Sequence, residues 1–253
     1  MNRVALNKVY SSIYGVLLST WNLKDLEHSV LLKYGEPQSL KVAECLQSVL
    51  TRLNHAAFHI KEFETFEDEV TGGRDTLELV TEIFQIDETR ISDITLKAGA
   101  HALAAVQALH SIADIMGTAI VFSLTDKTSW SGYWADAKKL LPSGASSIEK
   151  LMSELDDHVD YTHLRELVNH SKHTNVVRAR FMADLTGSGK NRYEFMPFER
   201  KSASYAARDV RDFLISEFDR QGRLIFEIGI ELNSVAESRR PVSLPDSGKT
   251  KII

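Results

Sequence analysis

Apolar residues recur at three- and four-residue intervals through most of the chain, a spacing that predicts amphipathic helices. Val9, Ile13, Val16 and Leu17 fall on one face of a first helix. Leu23, Leu26, Val30 and Leu31 mark a second, which stops at the turn Gly35-Glu36-Pro37. Ser39 is a candidate N-cap for a third helix carrying Leu46, Leu50, Leu53 and Phe58. That helix runs into Glu62, Glu64, Glu67, Asp68 and Glu69, expected as a solvated end before Gly72-Gly73. A short helix is expected over 77–86. The longest spans about 92–124, with Ile94, Ala98, Ala102, Ala105, Leu109, Ala113, Met116 and Ile120 as its buried stripe. Alanines on such a stripe let a neighbouring helix approach closely.

Beyond Trp130, Tyr133, Trp134 and the turn Pro142-Ser143-Gly144, Ser146 or Ser147 is placed to cap a further helix with Glu149 in its first turn. Asp160 is placed to cap the next, whose buried face is marked by Leu164, Leu167 and Val168. The period then drops to two. Val177, Ala179, Phe181 and Ala183 alternate with Arg178, Arg180 and Met182, and Tyr193 and Phe195 follow after a turn at 186–191. This predicts a β-hairpin over about 176–199. A final helix over about 204–237 buries Val210, Phe213, Leu214, Phe218, Leu224, Ile228 and Leu232, and residues 239–253 are expected as a flexible tail. The predicted class is mainly α: a helical bundle over 74–238 with a late β-hairpin inserted before the final long helix. The N-terminal helical segment, 1–73, either joins that domain or stands as a small subdomain.

At 253 residues, 43% hydrophobic and 26% charged, the chain is an ordinary globular protein, not a disordered, collagenous or disulfide-built one. A net charge of -5 gives no general attraction to phosphate, so any nucleic-acid contact has to be local. The single cysteine, Cys45, excludes an intramolecular disulfide and a thiolate-rich zinc site; a cytoplasmic setting is expected. The uncharged run Val9–Trp21 only loosely imitates an export signal, since no small-x-small site follows it. The apolar run 115–124 falls far short of the ~20 residues a membrane crossing needs, so no membrane partner is expected. Residues 163–201 differ from the rest: eight Lys/Arg face four acids, a net of +4 in a chain that is negative overall. That segment is either a polyanion-facing surface or an ordinary hairpin with a basic exposed side.

Gly189-Lys190 and Gly248-Lys249 lack the upstream glycine of a phosphate loop. His55 and His59 stand at i,i+4 without the glutamate of a metalloprotease helix between them, and no metal or cofactor is expected. The informative string is Arg165-Glu166-Leu167-Val168-Asn169-His170, an Arg-x4-His spacing that continues into Ser171-Lys172-His173.

At this string the chain resembles the HEPN superfamily, helical-bundle domains of which many are metal-independent ribonucleases in toxins and antiviral systems. In outline the resemblance covers about 91–233. It implies a HEPN-like fold, a homodimer, RNA as substrate, a toxin or phage-defence setting with an antitoxin or activator protein, and cutting that leaves a 2',3'-cyclic phosphate. It implies catalytic roles for Arg165 and His170, the guanidinium stabilising charge on phosphate and the imidazole moving a proton. A histidine pKa near 6.5 suits that work. Asn169, Lys172 and His173 would support them.

Asp93, Lys97 and His101, at i, i+4 and i+8, resemble the acid-x3-Lys-x3-His pattern of some HEPN branches. Otherwise they are an exposed flank worth ~0.2-0.5 kcal/mol per pair. His110 and Asp114 form a further i,i+4 pair. The chain departs from the family in the acid Glu166 directly after the motif arginine. On an ideal helix, positions five apart lie ~140° around the axis. Arg165, Asn169 and Lys172 therefore share one face and His163, Glu166 and His170 another, unless a kink or a second subunit unites the pair. Trp130, Tyr133 and Trp134 are placed to stack a base or to join the core. The other functional classes open at this level are a catalytically silent module binding a nucleotide or protein, and a plain helical scaffold.

Overall fold

A computed structural model describes residues 21–71, 88–186 and 191–240, with side chains from residue 92 onward in the second stretch. The chain order begins with helices α1 (Leu23–Tyr34), α2 (Glu36–Thr71), α3 (Glu88–Leu124), α4 (Trp134–Lys139), α5 (Ser146–Asp156) and α6 (Val159–His173). Strands β1 (Ala179–Met182), β2 (Arg192–Phe195), β3 (Phe198–Arg200), β4 (Ala203–Tyr205) and β5 (Arg208–Asp209) follow, and α7 (Val210–Ser238) closes the order. The protein is mainly helical, with small antiparallel sheets.

The long antiparallel neighbours α2 and α3 form the most extensive helix pair, and α7 packs across both. All eight residues of the expected α3 stripe are buried, and its alanines line the approach of α2. Ser92–Leu124 is long and apolar enough to cross a membrane by length and composition, yet 67% of its most apolar window is buried inside the protein. One hydrophobic cluster runs from Trp21 through Phe63, Ile120 and Leu167 to Ala236, so α1 and α2 share a core with everything that follows.

Strands β1, β2 and β5 form one antiparallel sheet in that order, with Ala179 opposite Phe195 and Arg180 opposite Glu194. β3 and β4 form a second hairpin, in which Phe198 stacks on Tyr205 at 4.7 Å between ring centroids.

Several expected boundaries move for identifiable reasons. The third helix begins at Glu36, not Ser39: Pro37 sits in its first turn, where a missing N–H is harmless, and Ser39 Oγ donates to the Glu27 carbonyl instead. Neither Ser146 nor Ser147 caps α5, which Ala145 precedes without a side-chain bond. His158 caps α6, accepting from the Asp160 N–H at 3.2 Å, while Asp160 pairs with Arg208 at 3.0 Å. Ser204 lies in β4, so the last helix starts only at Val210, capped by Asp209. The acidic end of α2 is not simply solvated. Glu67 is buried, accepts from the Tyr193 N–H at 3.3 Å and pairs with Arg211 Nε at 2.5 Å, joining α2 to β2 and α7. The helices expected around residues 9–17 and 77–86, and the tail from Pro241, lie outside the described residues.

Candidate functional site

Helix α6 carries the motif, and its two faces meet different surroundings. Asp160 in the first turn and Lys172 in the last complement the helix dipole. Tyr161, Leu164, Leu167 and Val168 enter the core and fix the rotation of the helix. That rotation turns His163, Glu166 and His170 toward β3 and β4, where all three are buried.

His163 sits edge-on against Phe198, Tyr205 and Phe213, with ring centroids 5.4 to 5.6 Å away. Burial disfavours its cation and Arg208 adds to the effect, so its pKa falls to about 4 despite Asp160. Glu166, the acid that departs from the family pattern, accepts from Arg200 Nε at 2.7 Å and from Arg165 Nε at 3.4 Å. Its charge is thus matched by two guanidinium groups.

His170 occupies the last turn of α6. The backbone N–H groups of Thr174 and Asn175 both donate to its carbonyl, at 2.9 and 3.2 Å. The Asn175 side chain folds back so that its Oδ1 accepts from His170 Nε2. An amide oxygen there takes a donor at Nε2, so the neutral form of the ring carries its lone pair on Nδ1. Nδ1 is buried and has no hydrogen-bond partner.

Beside this ring lies an open pocket of about 540 Å³, bounded by the end of α6, the start of β1 and the link from β2 to β3. Its polar lining comes from His170, Asn175, Arg178 and Arg180, and Val176, Pro197 and Phe198 supply apolar wall. Among the described residues no carboxylate lines it. Arg178 and Arg180 are exposed. Glu194, opposite Arg180 in the sheet, is already paired with Arg192 at 2.6 Å.

Arg165 does not line this pocket. Half-exposed, it lies on the flank of α6 nearer α3, where it and Lys172 help burial to lower the His110 pKa against the opposing charge of Asp114. Asp114 itself accepts from the Trp134 N–H at 3.0 Å. Asn169 is half-buried and Lys172 and His173 are exposed, and none of the three lines the pocket. Asp93 and Lys97 form an exposed ion pair at 2.5 Å. His101 meets His59 of α2, Nδ1 to Nδ1, at 3.0 Å, so this set belongs to the α2–α3 surface and not to the His170 pocket. Trp134 is core, Trp130 is half-buried against it and Tyr133 is exposed.

His158, Asp160 and Glu217 place ligand atoms within 4.8 Å of one another. Arg208 pairs with Asp160, and Arg220 and Gln221 donate to Glu217, so both carboxylates are already matched. Asn175, Arg178 and Arg180 are the site residues that motif reasoning passed over. The alternation along β1 had put the two arginines on one strand face, but only the folded chain brings that strand beside the end of α6.

Compared with known proteins, the chain matches no family model, no curated protein and no solved structure.

Proposed function

We propose that the chain is a HEPN-like module that takes single-stranded RNA into the His170 pocket and cuts it without a metal. The observation that carries this reading is the meeting, in one pocket, of the motif histidine with two arginines. RNA supplies its own nucleophile. A ribose 2'-hydroxyl that reached His170 Nδ1 would meet an acceptor with no competing partner. Its proton passes to the ring, the 2'-oxygen bonds to phosphorus, and the bond to the 5'-oxygen breaks. That oxygen leaves as a hydroxyl after taking a proton from the imidazolium or water, and a 2',3'-cyclic phosphate remains. Guanidinium groups stabilise the charge that builds on the phosphate oxygens. A homodimer would bring a second copy of the motif to the site, and a toxin or defence setting in the cytoplasm, under an antitoxin or activator, follows from the same resemblance.

The second reading, a catalytically silent HEPN-like module that binds a nucleotide or protein, draws on a separate observation: Asn175 occupies His170 Nε2, and Arg165 is turned to Glu166. Incubation of the protein with mixed RNA in EDTA separates the two. Cutting with cyclic-phosphate ends, reduced roughly 10²-fold or more in His170→Ala, is expected for a nuclease. Binding by wild type without any cutting, alone or with added cellular extract, assigns the silent role.

A further inference from the structure

We infer that Arg178 and Arg180, not the motif residue Arg165, hold the phosphate of the ligand that enters the His170 pocket. The inference rests on the RNA reading above for the kind of ligand and on four observations for the residues.

Arg178 and Arg180 line the pocket and Arg165 does not. The two are separated by one residue along an extended segment, so both rise from the same face, their Cα atoms roughly 6.7 Å apart. Side chains of that length converge on one phosphate or grip two adjacent ones, and the planar guanidinium suits either. Two acids on the neighbouring elements are committed elsewhere. Glu166 is matched by Arg165 and Arg200, and Glu194 by Arg192, so the nearest carboxylates on α6 and β2 are spent on other cations. Finally, His170, which is 93% buried with no hydrogen-bond partner on Nδ1, forms part of the same lining. Two guanidinium groups beside the apolar surface of Val176 and Phe198 suit a phosphate that carries a sugar and base. Arg165, bonded to Glu166 on the α3 side, is left to shape α6 and to hold Glu166 in place.

The test uses the full-length protein and a fluorescent, uncleavable 2'-O-methyl oligoribonucleotide in EDTA, with affinity measured by polarisation across a salt series. Arg178→Ala and Arg180→Ala are each expected to weaken binding about ten-fold. Each should also make the slope of log Kd against log salt shallower by about 0.7, the loss of one phosphate contact on a single strand. Arg165→Ala should stay within about two-fold of wild type. Both arginines are exposed, and Arg178→Lys with Arg180→Lys, which should keep most of the salt slope, guards against a folding artefact. Cutting of unmodified RNA is scored in parallel. Binding that depends on Arg178 and Arg180 without any cutting upholds the inference and removes the nuclease reading. Cutting and binding that depend on Arg165 but not on the strand arginines keep the nuclease and overturn the inference. Failure of the wild-type protein both to bind the oligonucleotide and to cut unmodified RNA overturns both.

Discussion

Arg200 Nε lies 2.7 Å from Glu166 Oε2 and joins β3 to the middle of α6. The carboxylate is buried and the guanidinium nearly so, at 9% and 17% side-chain exposure, with Arg165 on the other oxygen. Removing one partner of such a bridge costs far more than the bridge contributes, because the remaining charge is left in a poor solvent. Glu166→Ala should therefore destabilise the fold by roughly 2–4 kcal/mol in urea unfolding, and Glu166→Gln, which keeps an acceptor, by about half as much. Overlapping curves for wild type and Glu166→Ala would mean that the bridge does not anchor the β3–β4 hairpin.

His163 gives the fold a pH dependence whose sign follows from its depressed pKa. In the unfolded chain the ring takes a proton below about 6.5; in the folded chain burial withholds it until about 4. The unfolded state thus binds more protons across that window. Stability from this residue is complete above about pH 6.5 and is lost as the pH falls toward 4, at up to about 1.4 kcal/mol per pH unit. His163→Phe, which keeps an aromatic ring among Phe198, Tyr205 and Phe213, should flatten the curve in this window relative to wild type. Carboxylates other than Asp160 contribute equally to both proteins, so the difference between the two curves isolates His163 with its neighbour Asp160. A difference that does not change with pH would refute the assignment.

The elements visible in the sequence are those whose packing is local and periodic. Ile94 through Ile120 on α3 and Val210 through Leu232 on α7 bury the expected stripes because one face of each long helix meets other helices and, near one end, the strands. Boundaries were less legible, since they depend on partners remote in sequence. Ser204 belongs to β4 because it pairs opposite Glu199, and Glu67 is buried because Arg211 comes to meet it. The motif behaved similarly. Helical geometry alone placed Arg165 and His170 on different faces, and the folded chain has only His170 on the pocket. Asn175, Arg178 and Arg180 lie beyond the end of the motif helix, where the pattern of residues says nothing about which helix end a strand will cross.

Lys201 and Ser202 join β3 to β4 with φ values of 50° and 64°, and the pair Arg200–Ala203 closes the hairpin across them. Two consecutive left-handed residues are the mark of a type I′ turn, which favours asparagine followed by glycine. Ser202→Gly relieves the Cβ clash of that conformation and should raise stability by about 0.5–1 kcal/mol, and Lys201→Asn with it should add a few tenths more. Thermal unfolding should show an increase in Tm of about 2 °C for a protein of this size. A lower Tm in the double variant would show that the turn relaxes to another geometry in solution.

Gly229 stands inside α7, where alanine would normally be favoured by about 1 kcal/mol. The ring of Trp21 explains the exception: it lies flat over the glycine, where a Cβ would overlap it, and meets Phe226 edge-on at 5.7 Å. Trp21 is 3% exposed and carries the start of the described chain into the core formed with α7. Gly229→Ala must displace that ring, so the propensity gain is outweighed and a net loss of roughly 1–3 kcal/mol is expected. Trp21→Ala alone should cost roughly 3–5 kcal/mol by leaving a cavity. The pair supplies the decisive measurement. Once Trp21 is gone the methyl group has room, and Gly229→Ala should become neutral or stabilising in that background, giving a coupling of at least about 1 kcal/mol in a double-mutant cycle. Additive effects would place the tryptophan somewhere other than over Gly229.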